Sequence, residues 1–189
     1  MRIDEIFKPN EYEPVEKDFP QCLRLTDEVC EKYASQLKRY KSEAYKFENR
    51  VFIHLFKSKI PLGIAEVYRL DNCRVDGLLE LDSAQVILLE IKYALNWQTA
   101  CNARVELQRF FEEKQIQQYF GEKHYPDVPR SRPTRALIIF RDFSLAWERG
   151  NPWRYFYGEE SLLRGKIPVV PIDIVQFDEI ELIPASEDK

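Results

Sequence analysis

The stretch RVDGLLELDSAQVILLEIKY, residues 74–93, decides the fold. Its two flanks are rich in Val, Ile and Leu and its joint at Leu81-Asp82-Ser83 is polar, so it reads as two β-strands joined by a turn. Charges sit inside those strands. Asp76 lies in the first; in the second, Glu90 and Lys92 are two residues apart, and the two-residue period of a strand puts both side chains on one face. A strand reading VILLEI is expected to be largely buried, where an ionised group is tolerated only if it is paired, hydrogen-bonded or holding a metal. The constellation asks for a cation.

Upstream, Pro61-Leu62-Gly63 ends a helical region and turns the chain into a strand over 64–70, with Asp71-Asn72 as the next turn. Strands 64–70, 74–81 and 85–93 then form an antiparallel meander, because their joints are short enough for tight turns. Before them, the chain from Thr26 or Asp27 to about Lys57 is helical, with Val29, Tyr33, Leu37 and Tyr40 at helical intervals and a break at Lys41-Ser42. The second half restarts with the stripe Ala44, Val51, Phe52 and Leu55, and Glu48 belongs to it. Two accounts of Glu48 stand side by side: a carboxylate salt-bridged to Arg50 or Lys46 at the stripe's edge, or one aimed at the same centre as Asp76 and Glu90.

Downstream, a second long helix is expected over 99–120, stopped by Gly121. Ala103, Leu107, Phe110 and Phe111 supply its buried side; Arg104, Gln108 and Gln115 share a polar face, from which Gln108 is expected to point to the active edge of the sheet. Residues 122–135, EKHYPDVPRSRPTR, form a proline-punctuated connector, and Lys123, Arg130, Arg132 and Arg135 in it are candidate phosphate contacts. A buried strand over 136–140 follows, parallel or mixed because a helix precedes it. Short helical pieces at 144–149 and 159–163 flank the aromatic run Trp153, Tyr155, Phe156 and Tyr157, which reads as core packing, and 168–175 is an edge-like last strand.

Length and composition fit this picture. The 189 residues suit one domain: an irregular arm at 1–25, then a domain at 26–189 with its core at about 26–140 and an elaboration at 141–189. The apolar share of 44% and the charged share of 32% are those of a soluble globular protein. No run approaches the roughly 18 apolar residues of a membrane span. The start, MRIDEIFKPNEYEPVEKDFP, is acidic and has no apolar signal region, so an intracellular, cytoplasmic protein with no membrane partner is expected. Cys22, Cys30, Cys73 and Cys101 form no CxxC pair and read as reduced thiols. A net charge of -4 carries no global signature of nucleic-acid binding, so local charge distribution has to decide.

Asp76 and Glu90 on adjacent strands supply two hard oxygens, a set that suits magnesium or manganese with retained waters, and the Ile91 carbonyl between Glu90 and Lys92 is a natural third ligand. Lys92 would sit beside the attacking water and stabilise charge developing on a phosphate. These residue types at this spacing fit hydrolysis of a phosphodiester.

The same residues resemble the PD-(D/E)xK nuclease superfamily, whose signature is an acidic residue on one strand and (D/E)-x-K on the next. Thirteen residues separate Asp76 from Glu90-Ile91-Lys92, and the derived order of helix, three strands, helix and strand is similar to that family's core. The resemblance implies an α/β, restriction-endonuclease-like α-β-β-β-α-β core, with a mixed central sheet flanked by helices. It implies Mg2+- or Mn2+-dependent cleavage of DNA, with RNA as the alternative, in which Asp76, Glu90 and the Ile91 carbonyl hold metal and Lys92 is the catalytic lysine. Glu48 matches a Glu that many members carry on the first core helix. Gln108 is the nearest match to a Gln found in some branches, with Glu112 where their pattern has Tyr. A lone domain of this size often forms a homodimer in the family. Arg74-Val75 replaces the signature proline, and cysteines that all lie at or before Cys101 do not fit the branches that carry an iron-sulphur cluster. Three other readings remain: a plain Glu-Lys ion-pair face, a non-catalytic nucleic-acid-binding module, and a protein-interaction subunit that uses the acidic arm.

Overall fold

The computed structural model describes residues 21–39, 42–71, 75–112, 133–143 and 172–181. Among them the chain folds as an α/β protein with one six-stranded mixed sheet flanked by helices. Strand β1 (Gln21–Arg24) leads into α1 (Asp27–Gln36), a short 3-10 turn (Leu37–Arg39), α2 (Glu43–Lys57) and a single-turn α3 (Lys59–Leu62). Strands β2 (Ile64–Asp71), β3 (Gly77–Leu81) and β4 (Val86–Leu95) follow, then α4 (Trp97–Glu112), β5 (Pro133–Phe143), β6 (Ile172–Gln176) and α5 (Phe177–Glu181).

Local chemistry sets most of these boundaries. Thr26 caps α1 by accepting the Val29 N–H at 3.3 Å, and Asp27 and Glu28 in the first turn complement the helix dipole. The first helix ends at Gln36, and the second starts where expected, with Ser42 capping α2 by accepting the Tyr45 N–H at 3.4 Å. Gly63 closes α3 in the left-handed region, at φ 65°, where a residue without Cβ is unstrained. At the start of α4, Asn96 Oδ1 accepts the Thr99 N–H at 2.9 Å while Thr99 Oγ1 accepts the Asn96 N–H at 2.8 Å, a reciprocal cap.

The strands lie in chain order from β1 to β6. β1 to β4 pair antiparallel in succession, so the expected meander is present, and β4, β5 and β6 are parallel. Beyond shifts of one or two residues at the ends of β2, β4 and α4, the structure differs from the sequence reading as follows. Gln21–Arg24, expected within the arm, is an edge strand paired with β2. Asp76 precedes β3 instead of lying in it. The strand expected at 136–140 runs from Pro133 to Phe143 and takes in Arg135. The last strand is Ile172–Gln176, with 168–171 outside the described residues. The expected features at 1–20, 113–132, 144–171 and 182–189 also fall outside them.

Alternation along the strands divides the core between the two sheet faces. Leu78, Val86, Leu88, Ala136 and Ile138 pack with Ala100, Ala103, Leu107 and Phe110 of α4. On the other face Val67, Leu79, Leu89, Ile91 and Ile139 pack with Phe47, Val51, Phe52 and Leu55 of α2, Cys30 and Tyr33 of α1 and Phe177 of α5. Among the described residues, no helix is long and apolar enough to cross a membrane.

Candidate functional site

The site begins where two strands part. β3 pairs with β4 from Glu80↔Val86 to Gly77↔Leu89, whereas β4 continues beside β5 to Leu95. Beyond Gly77 the edge of β4 is left facing Asp76. The Asp76 backbone still bridges its neighbours, taking the Leu70 N–H on its carbonyl at 2.9 Å and donating to the Leu89 carbonyl at 3.1 Å. Its carboxylate Oδ2 accepts the Ile91 N–H at 2.6 Å, the next amide along that edge. In a strand a residue's N–H and C=O face the same neighbour, so the Ile91 carbonyl lies on the Asp76 side as well.

Gly77 makes this approach feasible. A Cβ at that position would meet the Tyr68 carbonyl at 2.5 Å and the Phe52 ring at 2.9 Å. The DG pair therefore reflects the close passage of β2 and α2, while the reading from sequence had used only the Asp.

Glu90 and Lys92 share the α4 face of β4, as their spacing predicts. Glu90 is 1% exposed, its Oε1 is ion-paired with Lys92 Nζ, and its Oε2 is buried with no hydrogen-bond partner among the described residues. Lys92 Nζ also donates to Glu106 Oε2 on α4 at 3.2 Å. Burial first, and the Asp76 charge second, raise the Glu90 pKa well above the usual carboxylate range, and burial raises that of Asp76 against the opposing Ile91 N–H. Burial would lower the Lys92 pKa, but Glu90 and Glu106 outweigh it and hold the ammonium charged.

Glu48 comes from the opposite layer. Its stripe is phased on Phe47, Val51 and Leu55, while Ala44, expected to be buried, is exposed. The expected partners are taken elsewhere: Lys46 pairs with Glu43 and Arg50 with Glu181. Glu48 is held by Arg69 of β2 instead, Nη2 to Oε1 at 2.6 Å. Burial, followed by the Asp76 charge, pushes its pKa up to about 7, and Lys92 is also close enough to act on it. Glu48 is thus both salt-bridged and electrostatically coupled to Asp76.

Arg69 is the organiser of that side. It is 3% exposed, donates from Nη1 to Asn49 Oδ1 at 2.6 Å, and pairs through Nε with Asp71 at 3.3 Å. Its guanidinium lies over the rings of Tyr33, Tyr45 and Phe52 at 4.9, 5.3 and 5.4 Å. Asn49, fully buried, is fixed in turn by donating to the Tyr45 carbonyl at 2.8 Å.

The structure therefore brings Asp76, Glu90, Ile91, Lys92 and Glu48 into one electrostatic neighbourhood. Gln108 is on α4, but its side chain lies outside the described residues, as do Lys123, Arg130 and Arg132. Arg135 does not belong to a free loop: in β5 its Nη2 donates to Asp173 Oδ2 on β6, which engages the guanidinium expected to meet phosphate. Glu106 and Arg69 are the residues that the sequence reading missed. Both carried a signal, since Glu106 is in helical phase with Ala103 and Phe110, and Arg69 shares a strand face with the buried Val67.

Among the described residues no group of three His, Cys, Asp or Glu side chains is gathered to hold a metal. The residues that fit a cation are two carboxylates and one carbonyl at the strand divergence, a set that suits Mg2+ because it keeps several waters. Glu90 Oε2 lies there as a buried acceptor without a partner among the described residues, a costly arrangement. No family model matches the chain, and neither the curated proteins nor the solved structures contain a match to it.

Proposed function

We propose that this protein is a divalent-metal-dependent nuclease of the PD-(D/E)xK type, hydrolysing phosphodiester bonds in DNA. The observation that carries the reading is the buried Glu90 Oε2, without a partner among the described residues, beside Asp76 at the point where β3 leaves β4. The order of α2, three antiparallel strands, α4 and a parallel β5 supports a restriction-endonuclease-like core, with Asp76 just ahead of β3 and Glu90-Ile91-Lys92 on β4.

Asp76, Glu90 and the Ile91 carbonyl would hold Mg2+ or Mn2+, with Glu48 as a further carboxylate from α2. The bound ion would polarise the scissile phosphoryl oxygens and make water a better nucleophile. The chain's own residues orient the reaction. The Ile91 N–H fixes the Asp76 carboxylate, the Lys92 ammonium orients the attacking water and stabilises charge developing on the phosphate, and the apolar walls strengthen each of these interactions.

Incubation of the purified protein with linear and circular DNA and with RNA, in Mg2+ or Mn2+, tests this. Cleavage is expected to vanish on chelation and in Asp76→Asn, Glu90→Gln and Lys92→Ala. Cleavage that survives Glu90→Gln and Lys92→Ala together would place the chemistry elsewhere.

A further inference from the structure

We propose that Glu106 is the positioning residue for Lys92, holding its ammonium at the site when a divalent cation occupies Glu90. The inference rests on the nuclease reading above and extends it to a residue outside the PD-(D/E)xK signature. Lys92 Nζ lies between two carboxylates, Glu90 Oε1 on its own strand and Glu106 Oε2 on α4 at 3.2 Å. The two differ in what a cation does to them. A divalent ion on Glu90 competes with the ammonium for that carboxylate and repels it as a like charge.

Glu106 is set differently. It projects from the rim of α4, where its side chain is 36% exposed, and the helix is anchored to the sheet by the fully buried Ala103 and Leu107. Its backbone is therefore placed by core packing and does not depend on the charge state of Glu90. Lysine has a long, rotamer-rich stem, and once released from Glu90 it would leave for solvent unless a second partner restrained it. Glu106 is that partner among the described residues. It lets Lys92 give up Glu90 without leaving the site.

The test compares wild type with Glu106→Gln and Glu106→Ala, using Mn2+ as the probe. Mn2+ affinity is read by electron paramagnetic resonance, kcat and KM by DNA cleavage, folding by thermal midpoint, and Lys92 accessibility by acylation in saturating Mn2+. Glu106→Ala is expected to lower kcat by about 10–100-fold, the usual cost of losing a partner that orients a ligand or catalytic group. KM, Mn2+ affinity and melting midpoint should stay as in wild type, and acylation of Lys92 should rise. Glu106→Gln is expected to fall between, because its amide oxygen still accepts from the ammonium. An unchanged kcat in Glu106→Ala overturns the inference. So does a Mn2+ affinity that falls with activity in Glu106→Gln, which would make Glu106 a ligand of the cation. Wild-type protein that neither binds Mn2+ nor cuts DNA is a different pattern and removes the nuclease reading together with this inference.

Discussion

Arg69 donates from Nη2 to Glu48 Oε1 at 2.6 Å while only 3% exposed, so α2 and β2 are tied by a charge pair with almost no water on the arginine side. Replacing Arg69 with Met would leave Glu48 and Asp71 without their cation and Asn49 Oδ1 without its donor. Removing one member of a buried pair costs about 3–5 kcal/mol. Arg69→Met is expected to lose that much in urea unfolding, and Arg69→Lys to recover only part, since a single ammonium cannot reproduce the fork. A Met variant as stable as wild type would show that the surrounding rings, and not the charges, hold this layer.

The raised carboxylates give the cation-free protein an unusual pH response. Glu48 is pushed up to about 7 by burial, and burial also raises Asp76 and Glu90. Between the ordinary carboxylate range and about 7 the folded state holds more protons than the unfolded chain, so stability falls as pH rises through that window. In chelator, the urea midpoint is therefore expected to be higher at about pH 5 than at about pH 8, and Glu48→Gln to flatten the difference. A midpoint that climbs across the same interval would contradict the burial of these groups.

Added Mg2+ or Mn2+ should act on the same carboxylates in the opposite sense. Binding to the folded state alone stabilises by about 2.7 kcal/mol at a hundredfold excess over Kd. The melting temperature should rise with cation concentration, more at neutral pH, where protons compete less. Asp76→Asn and Glu90→Gln are expected to abolish the rise. Full retention in both variants would move the cation site away from the strand divergence.

Two small residues, Gly77 beside the site and Ala84 at the far end of the β3-β4 pair, make opposite predictions. Gly77→Ala drives a methyl into the Tyr68 carbonyl and the Phe52 ring, and overpacking of this kind costs about 1–3 kcal/mol. Ala84, at φ 62°, closes the β3-β4 turn in the left-handed region, with its N–H donating to the Leu81 carbonyl at 2.8 Å. Relieving that conformation in Ala84→Gly should stabilise the protein by up to about 1 kcal/mol. Urea titration of the two variants, run in parallel, distinguishes a steric constraint on the backbone from a conformational one.

Alternation, turn chemistry and capping are local properties, and they were legible in the chain. The three-strand meander, the pairing of Glu90 and Lys92 on one face, the start of α2 after Ser42, the Thr26 cap and the end of the helical region at Gly63 all follow from spacing within a few residues. Helix phase was less secure. One residue turns a helix by about 100°, so taking Ala44 as buried, when Phe47 sets the stripe, left the direction of Glu48 undecided.

The sequence by itself determined that a buried strand would carry a glutamate and a lysine on one face, while the aspartate it assigned to the strand before stands just ahead of β3. Only the tertiary structure decided what those charges meet. Arg69 reaches Glu48 across 21 residues and Glu106 reaches Lys92 across 14, while Arg135 turns to Asp173 across 38. The four-residue β1 is a strand because β2 offers it an edge. Such contacts depend on how layers stack and where β3 parts from β4, and local propensity carries no term for a partner that packing brings in from another layer.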